Sequence, residues 1–433
     1  MRGLFMESKH RDVIVIGGGM AGLLIAYYLQ EQGKNVLVLE AKEIASGQTG
    51  RTTAKITSQH GLKYDKLIHT VGRKKARLYA QANEAAIGEY ERLIQKENID
   101  CQFERLPAYL YTREQAGVPL LRKEAEAVSL SGIDAFLTEE TELPFPVIGA
   151  LCFRNQAQFS AVEFVQQIAS KLEILEHTKV VAVKGNQVFT ENEMMTADRI
   201  VMAAHYPFKN VPGFYFLRQH QERSYVLALE KDTLPEWNGI YYGIDKNAYS
   251  LRRLGDYLLL DGSHHRTGQC NPSGAYEPLM QAAKQYFPEY EVKAAWSAQD
   301  CMPHDGIPFI GKYSIFTPHL YVATGFQKWG MTTSMVAALL LRDEICGTEN
   351  PYAKLFSPQR MNFRASIGNL LVDVGMSIKG LTQGLFGKKE RRCAHLGCKL
   401  MWNPDEKSWD CPCHGSRFDA EGKLLDNPAT RNL

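Results

Sequence analysis

Asp12-Val-Ile-Val-Ile-Gly17-Gly-Gly19-Met-Ala-Gly22 is the stretch that decides the fold. Its first part is a short continuous apolar run, the pattern of a parallel strand buried on both faces. Glycines follow in the spacing G-x-G-x-x-G, at Gly17, Gly19 and Gly22. Residues 23–32 then read as a helix that Gly33 ends, and Val36-Leu-Val-Leu-Glu40 is a second apolar run closing with an acid. The glycines allow a tight turn and the close approach of a pyrophosphate to the helix N-terminus, while Glu40 can accept from ribose hydroxyls. A glycine-rich structural turn is the alternative. The position between two strands, eighteen residues before a carboxylate, favours a Rossmann-like dinucleotide site.

Two further segments choose between dinucleotides. Ala45-Ser-Gly-Gln-Thr-Gly-Arg51-Thr-Thr-Ala-Lys55 is polar and glycine-containing, and on its own it is also compatible with an ordinary basic loop. Leu320-Tyr-Val-Ala-Thr324-Gly325-Phe-Gln-Lys328-Trp329-Gly330-Met331-Thr332 reads as a strand, a glycine turn and a helix running to Cys346. In this order the segments resemble the D-amino-acid oxidase and glycine oxidase superfamily of FAD enzymes, over roughly residues 11–346. The resemblance implies FAD contacts at Gly17, Gly19, Met20, Ala21, Gly22, Glu40, Ala41, Arg51, Thr52 and Thr53. It implies others at Val180 or Val181, at Ala203 and Ala204, and at Gly325, Phe326, Lys328, Trp329, Gly330 and Met331. His60 and Tyr64, after the first segment, and His265, in Asp261-Gly-Ser-His264-His265-Arg266, are the candidate catalytic residues. A polar strand end with surface histidines reads the last stretch equally well.

The chain closes on a different chemistry. Cys393-Ala-His395-Leu-Gly-Cys398 is followed by Cys411-Pro-Cys413-His414, with fifteen residues between His395 and Cys411. Each half offers one Cys-His pair and one further cysteine. A zinc site or a disulfide pair also uses such residues, but zinc sites of two Cys and two His usually place the cysteines first and the histidines later. A [2Fe–2S] cluster with two thiolates on one iron and two imidazoles on the other needs one pair from each half. The runs Cys-x-His-Leu-Gly-Cys and Cys-Pro-Cys-His-Gly-Ser resemble the Rieske family. That resemblance implies Cys393, His395, Cys411 and His414 as ligands and a Cys398–Cys413 disulfide, as in the cytochrome-complex type. It also implies a hydrogen bond from Ser416 to a cluster sulfur. A Tyr often stands two residues after that Ser. Here Phe418 has no donor, so the expected potential lies below the top of the Rieske range. The residues before Cys393 do not read as strands, and nineteen residues follow His414. The expectation is a shortened cluster subdomain, which either borrows support from the rest of the chain or is internally shortened.

The 433 residues suffice for two or three domains. A formal net charge of +2 points to neither nucleic acid nor an acidic surface. Residues 1–10 lack an apolar signal segment and no run is long enough to span a membrane, which makes cytoplasmic the expectation. The organisation read from the sequence is α/β. Residues 11–64, 150–212 and 300–356 would form the FAD-binding domain, and 65–149 and 213–299 a substrate domain with a largely antiparallel sheet. Residues 357–390 would be a helical linker, docked on the flavin domain rather than on a membrane surface, and 391–433 the small all-β cluster subdomain.

Flavin chemistry moves two electrons and a cluster moves one. The pair implies a dehydrogenase that takes hydride from an organic substrate and passes electrons singly to the cluster, then to an acceptor protein or a quinone. The resemblance to the D-amino-acid oxidase superfamily implies an amine or amino acid as that substrate. A flavin oxidase with a vestigial cluster and a non-enzymatic redox module are the alternatives. The strand Tyr257-Leu-Leu-Leu-Asp-Gly-Ser-His264 has no Lys where several amine oxidases of the superfamily use one to promote oxygen reduction, so slow oxygen reactivity is expected.

Overall fold

The computed structural model describes residues 10–231, 237–269, 274–360, 362, 375 and 391–433. The expected helical linker falls almost wholly outside these residues.

The apolar runs at His10–Ile16 and Val36–Leu39 are neighbouring parallel strands at the centre of an eight-stranded sheet. Met194–Met202 lies parallel on the other side of the first strand, and Leu320–Thr324 lies parallel to it in turn. Phe309–Lys312 closes one edge antiparallel, and Ile174–Leu175 stands at the other. The four central strands are buried at nearly every position after the first few residues, which is why they read as continuous apolar runs. The helix Met20–Gln30 is buried along all but its last residue. It packs against the sheet and against the second glycine-led helix, Gly330–Cys346. A hairpin of Val180–Lys184 and Gln187–Thr190 turns through Gly185, at φ +57°, as its Gly-Asn dipeptide implies.

The second sheet has nine strands, in the order Glu291–Pro303, Gln219–Glu230, Tyr257–Arg266, Ser250–Leu254, Ile240–Gly243, Glu104–Thr112, Gly149–Gln158 and Lys55–Ile56, with Ala135–Thr138 added on Gly149–Gln158. It is antiparallel except where Ile240–Gly243 meets Glu104–Thr112. This shifts three boundaries drawn from the sequence. Gly149–Gln158, Lys55–Ile56 and the end of Glu291–Pro303 lie in this sheet, not in the dinucleotide unit. Gly149–Gln158 pairs along nearly its whole length with Glu104–Thr112, and its Leu151 and Phe153 are fully buried there. The helices Tyr64–Val71 and Arg73–Glu97 occupy the charged, helically spaced stretch after Lys63.

The C-terminal residues form four short antiparallel strands: Met401–Asn403, Ser408–Asp410, Arg417–Phe418 and Leu424–Asp426. Their core is small: Leu400, Phe418, Ala429 and the cysteines. So little apolar burial cannot hold a domain on its own, and the support comes from the second sheet. Buried Arg223 pairs with Glu406 at 2.9 Å, and Tyr276 and Tyr225 donate to or accept from Glu406 and Asn403. Arg266 donates to the carbonyls of Pro412 and Cys413. Two glycines fix the closeness of the approach. A Cβ on Gly268, at φ +78°, would lie 2.5 Å from the backbone nitrogen of Pro412. One on Gly415, at φ +84°, would lie 2.6 Å from Gln221 Cβ.

Candidate functional site: a dinucleotide cavity beside a cluster site

The glycine turn is built as the spacing predicts. Gly17 has φ +115°, and a Cβ there would meet the carbonyl oxygen of Ala203 at 2.5 Å. Gly18 N donates to Glu40 Oε2 at 2.6 Å, and Lys42 N to Glu40 Oε1 at 2.8 Å. Met20 N donates to Thr49 Oγ1 at 2.9 Å, which joins the first segment to the second. A cavity of about 710 Å³ opens from this turn. All the residues named as FAD contacts line it except Gly22. A Cβ on Gly22 would sit 1.9 Å from the Gly17 carbonyl oxygen, so its work is helix–strand packing. The N-termini of Met20–Gln30 and Gly330–Cys346 both open on the cavity, each offering free N–H groups and a positive dipole end. A bare glycine cradle, a carboxylate at the second strand end and two helix N-termini fit FAD.

At one end the wall becomes ionisable. Lys55, Tyr242, Asp261, Asp300 and Lys328 line it. Lys328 Nζ lies 3.5 Å from Asp300 Oδ2, 3.7 Å from Glu222 Oε2 and 3.3 Å from His264 Nδ1. Asp261 lies 3.9 Å from Lys55 Nζ and 3.8 Å from His264 Nε2. Burial pushes Asp300 up to about 6, against the pull of Lys328. Burial pulls Lys55 down to about 8, partly offset by Asp261, and pulls His264 down to about 4, helped by Lys328. Burial works against the charge of Lys328, but Asp300 and Glu222 outweigh it and raise its pKa. A neutral histidine, the buried Lys55 and the half-buried Lys328 thus share three carboxylates.

The three histidine and tyrosine candidates lie elsewhere. His60 is buried, with Nδ1 2.8 Å from Tyr79 Oη and Nε2 2.7 Å from the Thr57 carbonyl, and it stacks on Trp329 at 4.8 Å. It backs a cavity residue without lining the cavity. Tyr64 is buried and donates to the Ser58 carbonyl. His265 stacks on Tyr225, toward the cluster subdomain. Strand alternation would have put His265 on the Asp261 face. A bulge prevents it: Arg223 pairs with His265 and Tyr225 with Gly262, so one residue on one strand faces two on the other. The extra residue turns His264 to Asp261 instead. The Tyr257–Arg266 strand carries no Lys, but two other elements bring lysines to the same end of the cavity.

The cluster residues come together from two loops. Cys393 and Cys411 are buried thiols, and Cys398 and Cys413 form the disulfide that joins the loops. The Cys411 thiol, outweighing burial, holds Cys393 down to about 7, with help from the His395 and Leu396 N–H groups and the Ser416 hydroxyl. His395 and His414 meet edge to face with centroids 5.1 Å apart, and Phe216 packs against both rings at 5.6 Å. His395 Nε2 lies 2.9 Å from Asn210 Oδ1, an acceptor, which assigns the ring proton to Nε2. Nδ1 of His395 is then a lone-pair nitrogen, and it is buried without a hydrogen-bond partner. Two thiols, two facing imidazoles and an orphaned lone pair fit a [2Fe–2S] cluster, while the disulfide removes the cysteines that a four-thiolate site would need. Phe418 is fully buried.

The two sites share a wall. Gln221 Nε2 donates to the carbonyls of His414 and Asn427, at 2.8 and 3.0 Å. Gln299 Nε2 donates to Gly415 O at 2.9 Å and to Gln221 Oε1 at 2.6 Å. His205 lines the cavity with Nε2 3.3 Å from Cys301 Sγ, and that sulfur reaches Gln221 Oε1 at 4.0 Å. Sequence reasoning missed Gln221, Gln299 and Asn210, because a neutral amide in a polar strand or loop carries no signal of its partner.

Comparison with known proteins agrees with this geometry. Residues 12–344 match the family described as FAD dependent oxidoreductase, and residues 384–433 match the Rieske [2Fe-2S] domain. A putative Rieske 2Fe-2S iron-sulfur protein of Bacillus subtilis, YhfW, is 35% identical, over 99% of this chain and 93% of its own length. Among solved structures, glycine oxidase from Geobacillus kaustophilus superposes with a TM-score of 0.68 at 19% identity, covering 81% of this chain and 99% of that one. L-amino acid deaminase from Proteus vulgaris superposes with a TM-score of 0.66 at 17% identity, covering 83% and 99%. At those identities the likeness is one of fold.

Proposed function

Because the chain belongs to the FAD dependent oxidoreductase family and carries a C-terminal Rieske [2Fe-2S] domain, we propose that it is a dehydrogenase acting on the C–N bond of an amine or amino acid. When bound, FAD supplies a two-electron hydride acceptor, and the [2Fe–2S] cluster supplies a one-electron relay toward an outside protein or quinone. The observation that carries this reading is the shared wall: Gln221 and Gln299 bridge the backbone of a cluster-ligand loop to the strands over the cavity.

The chain's own residues suit an amine. Asp261 and Asp300 are carboxylates in the cavity wall, able to attract an ammonium group. The ammonium must first lose a proton, since its nitrogen lone pair drives hydride out of the adjacent C–H bond. Asp300, which burial raises to about 6, is the base for that proton. The imine product hydrolyses with water to a carbonyl compound and ammonia, or to a carbonyl compound and a primary amine where the substrate is a secondary amine. Glycine oxidase and L-amino acid deaminase, whose fold the chain shares, support a C–N substrate.

The test is turnover of a broad panel of primary and secondary amines and amino acids with an artificial one-electron acceptor. Acceptor reduction dependent on one class of amine is expected. No turnover with any member, in protein carrying both cofactors, would overturn the reading in favour of a substrate-free redox module.

A further inference from the structure

One part of the cavity wall comes from outside the family region that ends at residue 344. The Leu424–Asp426 strand of the cluster subdomain lines the same cavity as the glycine turn, together with Lys423, Asn427, Thr430 and Asn432. This segment is held in place. Asp426 pairs with buried Arg417 at 2.9 Å. Asn427 accepts from Gln221 and donates to the Tyr206 carbonyl at 3.4 Å. Leu424 N donates to Asn432 Oδ1 at 2.9 Å, which folds the last residues back on the strand. Arg51, in the second dinucleotide segment, is close enough for its charge to act on Asp426. The cavity therefore has the cluster subdomain as one wall.

We propose that residues 423–432 are part of the FAD site, with Lys423 meeting the diphosphate, so that FAD fastens the cluster subdomain to the flavin domain. Lys423 is the basic residue this segment brings to the cavity, and the diphosphate is the anionic part of FAD. A ligand that contacts both bodies binds their docked form better than their separated form. By linkage, FAD stabilises docking and docking strengthens FAD binding. The proposal rests on FAD being the occupant of this cavity.

The test uses the full chain with its cluster, freed of FAD and titrated with FAD. Amide hydrogen exchange is followed at 17–22 and at 423–432, and the dissociation constant is read from flavin fluorescence. FAD is expected to slow exchange in both segments. Lys423→Glu is expected to raise the dissociation constant at least tenfold, with iron content and cluster EPR unchanged. Slowed exchange at 17–22 alone, with the Lys423→Glu constant within twofold of the parent, would overturn the proposal and leave the flavoprotein reading intact. Protein that binds no FAD at all would overturn both.

Discussion

The side-chain amide of Gln221 donates to the main-chain carbonyl of His414 across 2.8 Å, joining a strand over the dinucleotide cavity to a cluster-ligand loop. The same amide also serves the Asn427 carbonyl, and its oxygen accepts from Gln299. Gln221→Leu removes these three hydrogen bonds, each worth about 0.5–1.5 kcal/mol. The cluster's visible absorbance is expected to bleach at lower urea than in the parent. Unchanged bleaching would show that the bond contributes nothing to docking.

Gly268 sits where the second sheet closely approaches the Pro412 backbone. Gly268→Ala forces a Cβ against the Pro412 backbone, and its φ of +78° is unfavourable to any side chain. We expect a loss of at least about 2 kcal/mol, from overpacking and backbone strain together, and reduced iron per polypeptide. Gly33→Ala is the control. It has a similar φ of +75° but no heavy atom within 4 Å of the new Cβ. It should cost only about 1 kcal/mol and leave iron content alone.

Hydrogen bonding at the cluster sets a prediction for its potential. Ser416→Ala removes a hydroxyl that favours the electron-rich state, and Phe418→Tyr adds one where the buried ring has none. Each hydrogen bond to a charged centre is worth roughly 1.5–3 kcal/mol. For one electron this is on the order of 60–130 mV, downward for Ser416→Ala and upward for Phe418→Tyr. Redox titration monitored by EPR checks both directions.

Asp300 gives a pH dependence with a definite sign. Burial raises its folded pKa from 3.8 to about 6, so the folded state holds a proton that the unfolded state releases. The stability it contributes is present below pH 3.8 and lost as the pH rises through about 6. Catalysis runs the other way, since the base must be ionised. With an amine substrate, kcat/KM should fall as the pH drops below about 6, and Asp300→Asn should remove that limb. A limb that persists in Asp300→Asn assigns it to another group.

The dinucleotide unit was legible because its physics is local. Gly17, Gly19 and Glu40 act within one strand–turn–helix–strand, and the spacing alone specifies them. The candidate cluster ligands stood out for a similar reason, since two loops carry all four of them. The ionisable end of the cavity was not legible. Asp300, Lys55 and His264 come from three strands, and His264 replaces His265 through a bulge that strand periodicity cannot reveal. Nor was the docking of the cluster subdomain, whose determinants, such as Arg223 with Glu406 and Gly268 against Pro412, lie far apart in sequence. Borrowed support was one of two readings that the short cluster subdomain allowed, and nothing in the sequence pointed to the second sheet as its source.

The account's central claim is that one substrate delivers electrons to both centres of the same chain. The most direct test is an anaerobic titration with an amine identified in the turnover panel, following flavin absorbance and cluster EPR together. The account predicts that the amine bleaches the flavin and brings up the reduced-cluster signal, at a rate independent of protein concentration. Complete flavin bleaching with the cluster left oxidised until dithionite is added would contradict it.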